Sequence, residues 1–212
     1  MKKIIIYTAG SGSQEILLNI RQINEINPEW EILGFVDEDL SLSDSEIQGL
    51  PVFPPNHKEI SRDVYGICGV LDPLLRKRIT EELIEGRGMK LASIISCNSR
   101  IPTDFEYGPG TLIMPDVTIS YGVKLGKGVL VFWGAALGHN LVVGNYSSIL
   151  SFATITGNCK IGNSTIIGAS STLNVGVQIG NNSLVGVGTT IFKNVKDNLS
   201  VIDLPRQITT KR

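Results

Sequence analysis

Residues 137–167 read LGHNLVVGNYSSILSFATITGNCKIGNSTII, and an aliphatic residue stands at every sixth position of this stretch. The same spacing extends in both directions without a miss. A period of six fits neither the 3.6 residues of a helical turn nor the alternation of an ordinary strand. It is typical of a parallel β-helix, in which each coil stacks on the last and buries a continuous column of side chains. The full aliphatic series is Ile113, Ile119, Leu125, Val131, Leu137, Val143, Ile149, Ile155, Ile161, Ile167, Leu173, Ile179, Val185 and Ile191.

The neighbouring positions of the repeat support the same fold. Two residues before each aliphatic residue the side chain is usually small or β-branched, which predicts a tight corner; Leu141 is the bulky exception. One residue after it Gly is frequent, and we expect these glycines to supply backbone angles that a Cβ disfavours. A β-sandwich would instead need irregular spacing and hairpin turns. Three hexads form one triangular coil, so the series predicts roughly four to five coils.

Composition indicates a cytoplasmic protein. The chain has 212 residues and a formal net charge of −1, which argues against nucleic acid or an anionic membrane surface as the main partner. The apolar run at residues 4–7 is too short for a signal peptide or for membrane insertion. Cys68, Cys97 and Cys159 lack metal-like spacing, so we expect free thiols and no bound metal.

Charge is sparse along the repeat. Uncharged outer faces can be buried against copies of the same chain, and a homotrimer is the symmetric closed assembly that we expect. A monomer with a neutral surface is the alternative. The only charged residues between Ile113 and Val195 are Asp116, Lys124, Lys127, Lys160 and Lys193.

The first hundred residues indicate a small α/β domain. A strand over residues 2–7, a glycine-bearing turn, a helix and a second strand over residues 31–36 form a βαβ unit of nucleotide-binding type. Gly10, Ser11 and Gly12 would let phosphate approach the N–H groups at the helix start. The third glycine of the dinucleotide fingerprint is replaced by Glu15, which disfavours a redox cofactor and leaves a sugar nucleotide open. Alternatively, the turn serves only the packing of strand and helix.

Two carboxylates and a domain boundary complete this half of the chain. Asp37 and Glu38 end the second strand, where a carboxylate can accept hydrogen bonds from ribose hydroxyls. Residues 97–110 contain prolines, Asn, Ser and Gly and connect the domain to the repeat. We therefore predict two domains, residues 1–100 and residues 101–212.

His139 is the strongest candidate for a catalytic residue. The chain has two histidines, and only His139 lies in the repeat. Imidazole suits a base that takes the proton of an acceptor near neutral pH. A coil of eighteen residues predicts Tyr121 on one side of His139 and Gly157 on the other, where a glycine leaves room for a thioester and offers an N–H to an oxyanion. The alternative is a histidine that only contacts another subunit.

The chain resembles the bacterial sugar acetyltransferases of capsule, sialic acid and UDP-amino-sugar biosynthesis, which join a Rossmann-like N-terminal domain to a left-handed β-helix of hexapeptide repeats. The resemblance covers nearly the whole length. It is carried by residues 3–7 with the glycine turn, residues 34–39 (GFVDED), residues 75–79 (LRKRI), residues 112–115 (LIMP) and residues 137–146 (LGHNLVVGNY).

This resemblance implies a fold, a reaction and a set of site residues. The fold would be an α/β Rossmann-like domain followed by an all-β left-handed parallel β-helix, and the assembly a homotrimer. The reaction would be transfer of an acetyl group from acetyl-CoA to an amino or hydroxyl group of a nucleotide sugar or sialic acid, with His139 as the general base. Substrate contacts would come from Gly10, Ser11, Gly12, Asp37, Glu38 and Phe132, and coenzyme contacts from Gly157, Val187, Lys193 and Arg206.

The departures from the family pattern open two alternatives. Gly138 and Asn140 flank His139 where family members carry acids, and Asp and Glu are absent between Asp116 and Asp197. A non-catalytic relative is therefore one alternative. Phe132, followed by Trp133, replaces an asparagine of the sugar site, so an acyltransferase with another acyl group or acceptor is the second. A zinc carbonic anhydrase is ruled out because its three histidine ligands are not available.

Overall fold

The computed structural model describes residues 1–203 and has an α/β N-terminal half and a β-helical C-terminal half. The first half holds a six-stranded sheet in the order β3-β4-β2-β1-β5-β6. Strands β3 and β4 pair antiparallel, and the other neighbours pair parallel. The strands are β1 (Lys2–Tyr7), β2 (Trp30–Val36), β3 (Glu46–Ile47), β4 (Leu50–Phe53), β5 (Tyr65–Cys68) and β6 (Lys90–Leu91).

Two helical segments cover this sheet. Helix α1 (Ser11–Ile26) buries Ile16, Leu17 and Ile20, whose spacing of one and four residues places them on one face of the helix. Helix α2 (Pro73–Arg78) is capped by Asp72, whose side chain accepts a hydrogen bond from the Leu75 N–H at 2.7 Å. It continues as a π-helical turn over Ile79–Ile84 and a 3-10 turn over Glu85–Arg87; a further 3-10 turn spans Leu40–Leu42. None of the helices within residues 1–203 is long and apolar enough to cross a membrane.

The second half is the predicted parallel β-helix, with two-residue strands stacked on three faces. One coil contains eighteen residues, because Ile113 pairs with Val131 and Val131 pairs with Ile149 in neighbouring coils. Face I contains β7 (Ile94–Ile95), β9 (Leu112–Ile113), β12 (Leu130–Val131), β15 (Ser148–Ile149), β18 (Ile166–Ile167), β21 (Leu184–Val185) and β23 (Ser200–Val201). Face II contains β10 (Thr118–Ile119), β13 (Ala136–Leu137), β16 (Thr154–Ile155), β19 (Thr172–Leu173) and β22 (Thr190–Ile191). Face III contains β8 (Glu106–Tyr107), β11 (Lys124–Leu125), β14 (Val142–Val143), β17 (Lys160–Ile161) and β20 (Gln178–Ile179).

The aliphatic series forms the core of the β-helix, and each of its members is at least 95 % buried. The small residues two positions earlier point inward as well, and Leu141, the exception, is fully buried among them. The hydrophobic column predicted from the period is therefore the column observed. Its continuity explains why no insertion interrupts the series, since an extra residue would turn the next aliphatic side chain out of the core.

The interpretation of the glycines that follow the aliphatic residues was wrong. Left-handed backbone occurs two residues later, at Asn140 (φ 56°) and Asn158 (φ 59°) among others. The glycines have a different reason: a Cβ on Gly138, Gly144 or Gly162 would lie 2.6 Å from backbone atoms of the next coil. Close stacking of coils, rather than an unusual φ, requires glycine there.

The α/β half docks on face I. Leu112 and Leu130, the outward residues of β9 and β12, are buried in one cluster with Ile16, Leu17 and Ile20 of α1. Strand β7 (Ile94–Ile95) already belongs to the sheet of face I. The domain boundary near residue 100 stays a prediction. The docking leaves faces II and III, and the corner between them, free of the N-terminal half.

Candidate active site

His139 lies at the corner between faces II and III, in the column that contains Tyr121 and Gly157. Its half-buried ring stacks on the Tyr121 ring, with centroids 5.4 Å apart and planes 9° from parallel. On the other side, a Cβ on Gly157 would stand 2.2 Å from His139 Nε2. The eighteen-residue register thus brings together the three residues that the sequence predicted, and the imidazole is held between an aromatic ring and a bare backbone.

Gly157 also offers a hydrogen-bond donor beside the ring. Its carbonyl accepts from the Gly176 N–H at 3.0 Å, but its own N–H finds no acceptor within residues 1–203. Gly157 is buried, and Asn158 N–H donates to the His139 carbonyl at 2.8 Å, which fixes the two backbones against each other. A free, rigid N–H next to an imidazole is the arrangement that stabilises an oxyanion formed at that position.

Asn140 controls the second nitrogen of the ring. Its Nδ2 lies 3.3 Å from His139 Nδ1 and donates to Asn158 Oδ1 at 3.2 Å. An imidazole whose Nδ1 accepts from an amide carries its proton on Nε2 and then cannot take another there. A base at Nε2 requires the opposite tautomer, with Nδ1–H donating to the amide oxygen. A half-turn of the Asn140 amide supplies that acceptor.

No carboxylate partners His139 in the part of the chain that the structure describes. The N-terminal half docks on face I, opposite this corner, so it does not supply one within the same chain. Among residues 1–203, no group of three or more His, Cys, Asp or Glu is arranged to hold a metal ion.

The glycine turn lies at a different corner, between faces I and II. Helix α1 begins after Gly10 without a side-chain cap, so its first N–H groups remain available to an anion. Ser11 and Gly12 line a pocket of about 320 Å³. Its opposite wall includes Phe132, Trp133 and Leu71. The predicted substrate residues Ser11, Gly12 and Phe132 are thus brought together in one pocket.

Two residues of this pocket differ from expectation. Phe132 is only 8 % exposed and belongs mainly to the apolar interface between α1 and face I. Trp133, 40 % exposed, lines this pocket and a neighbouring one of about 250 Å³ that also contains Glu15 and Asn19. Sequence reasoning noticed Trp133 but did not assign it to the site; its place at the corner after face I is the signal that identifies it.

Asp37 and Glu38 line a third pocket, of about 240 Å³, at the end of β1 and β2. Both carboxylates already have partners. Asp37 accepts from the N–H groups of Ala9 at 2.8 Å and Asp39 at 2.9 Å, and so ties the glycine turn to the end of β2. Glu38 forms an ion pair with Arg78, and this hydrogen bond lowers the pKa of the Glu38 carboxyl. A nucleoside at this place would meet Glu38 and Arg78 together, a pairing that the sequence did not predict.

The predicted coenzyme residues lie on two corners. Lys193 is exposed in the His139 column, two coils beyond Gly157 at the position that follows Val175. Val187 is 70 % exposed and lies in the Trp133 column instead. Arg206 lies outside the described residues. One chain therefore groups His139, Gly157 and Lys193 at one corner and the glycine turn, Trp133 and Val187 at another.

Comparison with known proteins agrees with this architecture. The sequence profile of bacterial transferase hexapeptide repeats (six repeats) matches residues 140–175. No curated protein sequence matches the chain.

Among solved structures, PerB from Caulobacter crescentus, in complex with CoA and GDP-perosamine, has a TM-score of 0.85 at 19% identity, covering 98% of this chain and 97% of that chain. The acetyltransferase domain of PglB from Neisseria gonorrhoeae, in complex with acetyl coenzyme A, has a TM-score of 0.86 at 22% identity over 95% and 96% of the two chains. WeeI from Acinetobacter baumannii has a TM-score of 0.85 at 22% identity over 97% and 99%.

The resemblance to bacterial sugar acetyltransferases that the sequence predicted is confirmed by the hexapeptide repeat and by the fold shared with PerB and PglB over 98% and 95% of this chain. The stacked parallel strands and the fold shared with these structures confirm the predicted β-helix. The Rossmann-like assignment of the first half stays a prediction.

Proposed function

We propose that the protein is an acyl-CoA-dependent acetyltransferase that acts on an amino or hydroxyl group of a nucleotide-activated sugar or sialic acid. Acetyl-CoA is the donor and His139 is the general base. The observation that carries the proposal is the imidazole held between Tyr121 and Gly157, whose N–H finds no acceptor within residues 1–203. PerB and PglB, which share the fold, were crystallised with CoA and with acetyl coenzyme A, respectively.

The reaction needs one proton transfer and one oxyanion. The acceptor nitrogen or oxygen attacks the thioester carbonyl of acetyl-CoA while His139 Nε2 takes its proton. The carbonyl oxygen becomes an oxyanion that the Gly157 N–H stabilises. The C–S bond then breaks, and the imidazolium returns its proton to the thiolate of CoA. No covalent enzyme intermediate is required.

The pocket beneath the glycine turn is the proposed acceptor site. Phosphate groups would bind the free N–H groups at the start of α1, and the sugar would face Trp133. PerB, crystallised with GDP-perosamine, supports a nucleotide-linked sugar as the ligand. Asp37 would then act indirectly, by fixing the glycine turn through Ala9. Glu38, which lines the third pocket, is the proposed carboxylate contact of the nucleoside. Lys193 and Arg206 are the proposed contacts of the coenzyme phosphates.

The two halves of the proposed site require a second copy of the chain. Six residues separate Trp133 from His139 along face II, a distance of roughly 20 Å in extended chain. The neutral surface of face II, with Thr118, Thr154 and Thr172 pointing outward, suits burial against a copy. We therefore propose a homotrimer that brings the acceptor pocket of one protomer to His139 of another. Free cysteines at positions 68, 97 and 159 fit the reducing cytoplasm as its location.

A non-catalytic relative is the second candidate. It is favoured by one observation: His139 has an amide, rather than a carboxylate, at Nδ1. Such a protein would keep the trimer and the pocket while losing turnover. A relative with another acyl group or acceptor is the third candidate, favoured by the aromatic wall at Trp133.

One experiment separates these candidates. Purified protein is incubated with acetyl-CoA and a panel of nucleotide-linked amino sugars, and release of the CoA thiol is measured. His139→Ala is compared with His57→Ala, the matched change at the only other histidine of the chain, whose ring stacks on Phe53. We expect thiol release by the native protein and His57→Ala, and none by His139→Ala. Retained turnover in His139→Ala would remove it as the base, and no turnover with any sugar would favour the non-catalytic candidate.

A further inference from the structure

Within residues 1–203, Arg76 is a fully buried arginine that forms no ion pair with a carboxylate. It is 1 % exposed and donates to four backbone carbonyls. Nε bonds the Gly128 carbonyl at 2.9 Å, Nη1 bonds the carbonyls of Val70 at 2.5 Å and Leu71 at 3.1 Å, and Nη2 bonds the Tyr146 carbonyl. Burial lowers its pKa to about 10, so the guanidinium remains charged at neutral pH. A buried charge held only by carbonyls calls for an explanation.

Part of the explanation lies in the β-helix. Gly128 and Tyr146 occupy the same position of successive coils, at the corner between faces III and I, and both have left-handed backbone (φ 62° and 60°). Ser164 follows them in this column, and its carbonyl accepts no hydrogen bond within residues 1–203. At Gly128 and Tyr146 the docked N-terminal half covers the corner, so their carbonyls lose water. Arg76 replaces that water with two N–H donors.

The other two carbonyls belong to the loop that carries Leu71 to the acceptor pocket. Val70 and Leu71 lie in the loop after β5, and the Leu71 side chain lines the pocket beneath the glycine turn. The same loop approaches the turn directly, since a Cβ on Gly12 would lie 3.2 Å from the Gly69 carbonyl. Ser148 of face I also donates to the Leu71 carbonyl, at 2.8 Å. The loop is therefore held by donors from two sides.

We propose that Arg76 is a positioning residue for the acceptor pocket. Its planar fork joins the loop at residues 69–72 to two coils of the β-helix, and thereby sets the distance between the glycine turn and the wall formed by Leu71 and Trp133. Lysine cannot reproduce this, because its single ammonium has three donors at one point and lacks the fork geometry. The role in substrate binding rests on the proposed function of that pocket; the positioning of the loop does not.

A neighbouring contact provides the matched control. Lys127 pairs with Glu85 at 2.5 Å, between the same coils and the same helical segment, yet it touches neither Val70 nor Leu71. Its loss weakens docking of the two halves without releasing the loop. Lys127→Met therefore measures what a purely structural contact at this corner contributes.

The test compares Arg76→Met, Arg76→Lys and Lys127→Met in the full chain. Hydrogen exchange of the amides at residues 69–72 and 11–13 is followed by mass spectrometry, next to exchange in β2 and α1 as internal references. We expect exchange at residues 69–72 to rise about tenfold or more in Arg76→Met, less in Arg76→Lys, and to stay unchanged in Lys127→Met. Unchanged exchange in the Arg76 variants, or a uniform rise over the whole N-terminal half, would overturn the proposal.

Kinetics with a turned-over nucleotide sugar add a second readout. We expect KM for the nucleotide sugar to rise about tenfold in Arg76→Met, while KM for acetyl-CoA stays unchanged. An equal rise in both KM values would mean a general loss of structure. If Arg76→Met does not fold, Arg76→Lys is judged by the same two readouts. If the protein transfers no acetyl group, the proposed function fails, but hydrogen exchange still decides whether Arg76 positions the loop.

Discussion

Replacing Asn140 by aspartate should make His139 a better base. Asn140 Nδ2 lies 3.3 Å from His139 Nδ1, and in that orientation the amide favours the tautomer that cannot act as a base at Nε2. A carboxylate at the same place has no donor and can only accept, so it holds the proton on Nδ1 and leaves Nε2 free. Aspartate also tolerates the left-handed backbone of residue 140, so the substitution adds a charge without strain.

The size of the effect follows from the distance. Two unit charges separated by 3.3 Å attract by about 1.3 kcal/mol in bulk water and by about 5 kcal/mol at an effective dielectric of 20. The lower figure applies, because His139 is half-buried and Asn140 is exposed. Stabilising the imidazolium by about 1.3 kcal/mol corresponds to about a tenfold gain in rate if the whole of it is realised in the transition state. We expect a five- to tenfold rise in kcat/KM on the plateau above the acid limb of the pH profile, where the imidazole is neutral in both proteins.

The assay is the pH dependence of acetyl transfer, measured as thiol release from acetyl-CoA between pH 5 and 9. The acid limb of the profile should move to higher pH by about one unit in Asn140→Asp, because the carboxylate favours the protonated ring. Asn158→Asp is the control, since Asn158 occupies the same corner position one coil further on and does not contact Nδ1. A profile identical to that of the native protein, or equal shifts in both variants, would refute the reasoning.

Two further outcomes follow from the structure. Gly157→Ala should reduce kcat by at least about a hundredfold with little change in Tm, because the new Cβ would lie 2.2 Å from His139 Nε2 and the ring must move; undiminished turnover alongside an unchanged melting curve would contradict this. Burial raises the pKa of Tyr7 to about 12, against about 10 for an unfolded tyrosine. Its contribution to the free energy of unfolding is therefore complete below about pH 10 and is lost as the pH rises from there through about 12. Measured by chemical denaturation between about pH 10 and 12, the free energy of unfolding should fall less steeply with pH in Tyr7→Phe than in the native protein. An equally steep fall in both proteins would mean that folding does not suppress the ionisation of Tyr7.

The sequence predicted the β-helix and its register because both depend on local geometry. A six-residue period admits one way of stacking coils, and eighteen-residue spacing then places Tyr121, His139 and Gly157 in one column without any knowledge of tertiary packing. The stacked rings and the contact of Gly157 with the imidazole confirm that column. The role of the glycines beside the core was misread because a period reports where backbone comes close but not which φ it adopts.

The docking of the N-terminal half was not predicted, although a signal exists. The outward residue of each strand differs between faces: on face II it is mostly threonine, whereas on face I it is mostly a large aliphatic residue such as Leu112, Leu130, Ile166 or Leu184. Ser148 and Ser200 are the exceptions on face I. Because every third hexad lies on the same face, grouping the hexads in this way would have identified face I as the face that the N-terminal half covers. Phe132 would then have been recognised as part of that interface. The hydrogen bonds of Asp37 to the glycine turn and of Arg76 to four carbonyls left no such signal, because they depend on where distant loops meet.

The division of the proposed site between two corners has a consequence for assembly. Each coil of a β-helix passes its corners in fixed order, so no rearrangement within one chain can bring Trp133 next to His139. If His139 serves the acceptor pocket, catalysis therefore requires a second copy, and activity per protomer must fall on dilution below the dissociation constant of the assembly. Mixing a His139→Ala chain with a chain whose pocket is blocked at Gly12 should then restore turnover in mixed assemblies, since each contributes the corner that the other lacks. Two inactive chains that stay inactive after co-refolding would mean that His139 does not serve the acceptor pocket of a second copy, and would remove the need for the trimer.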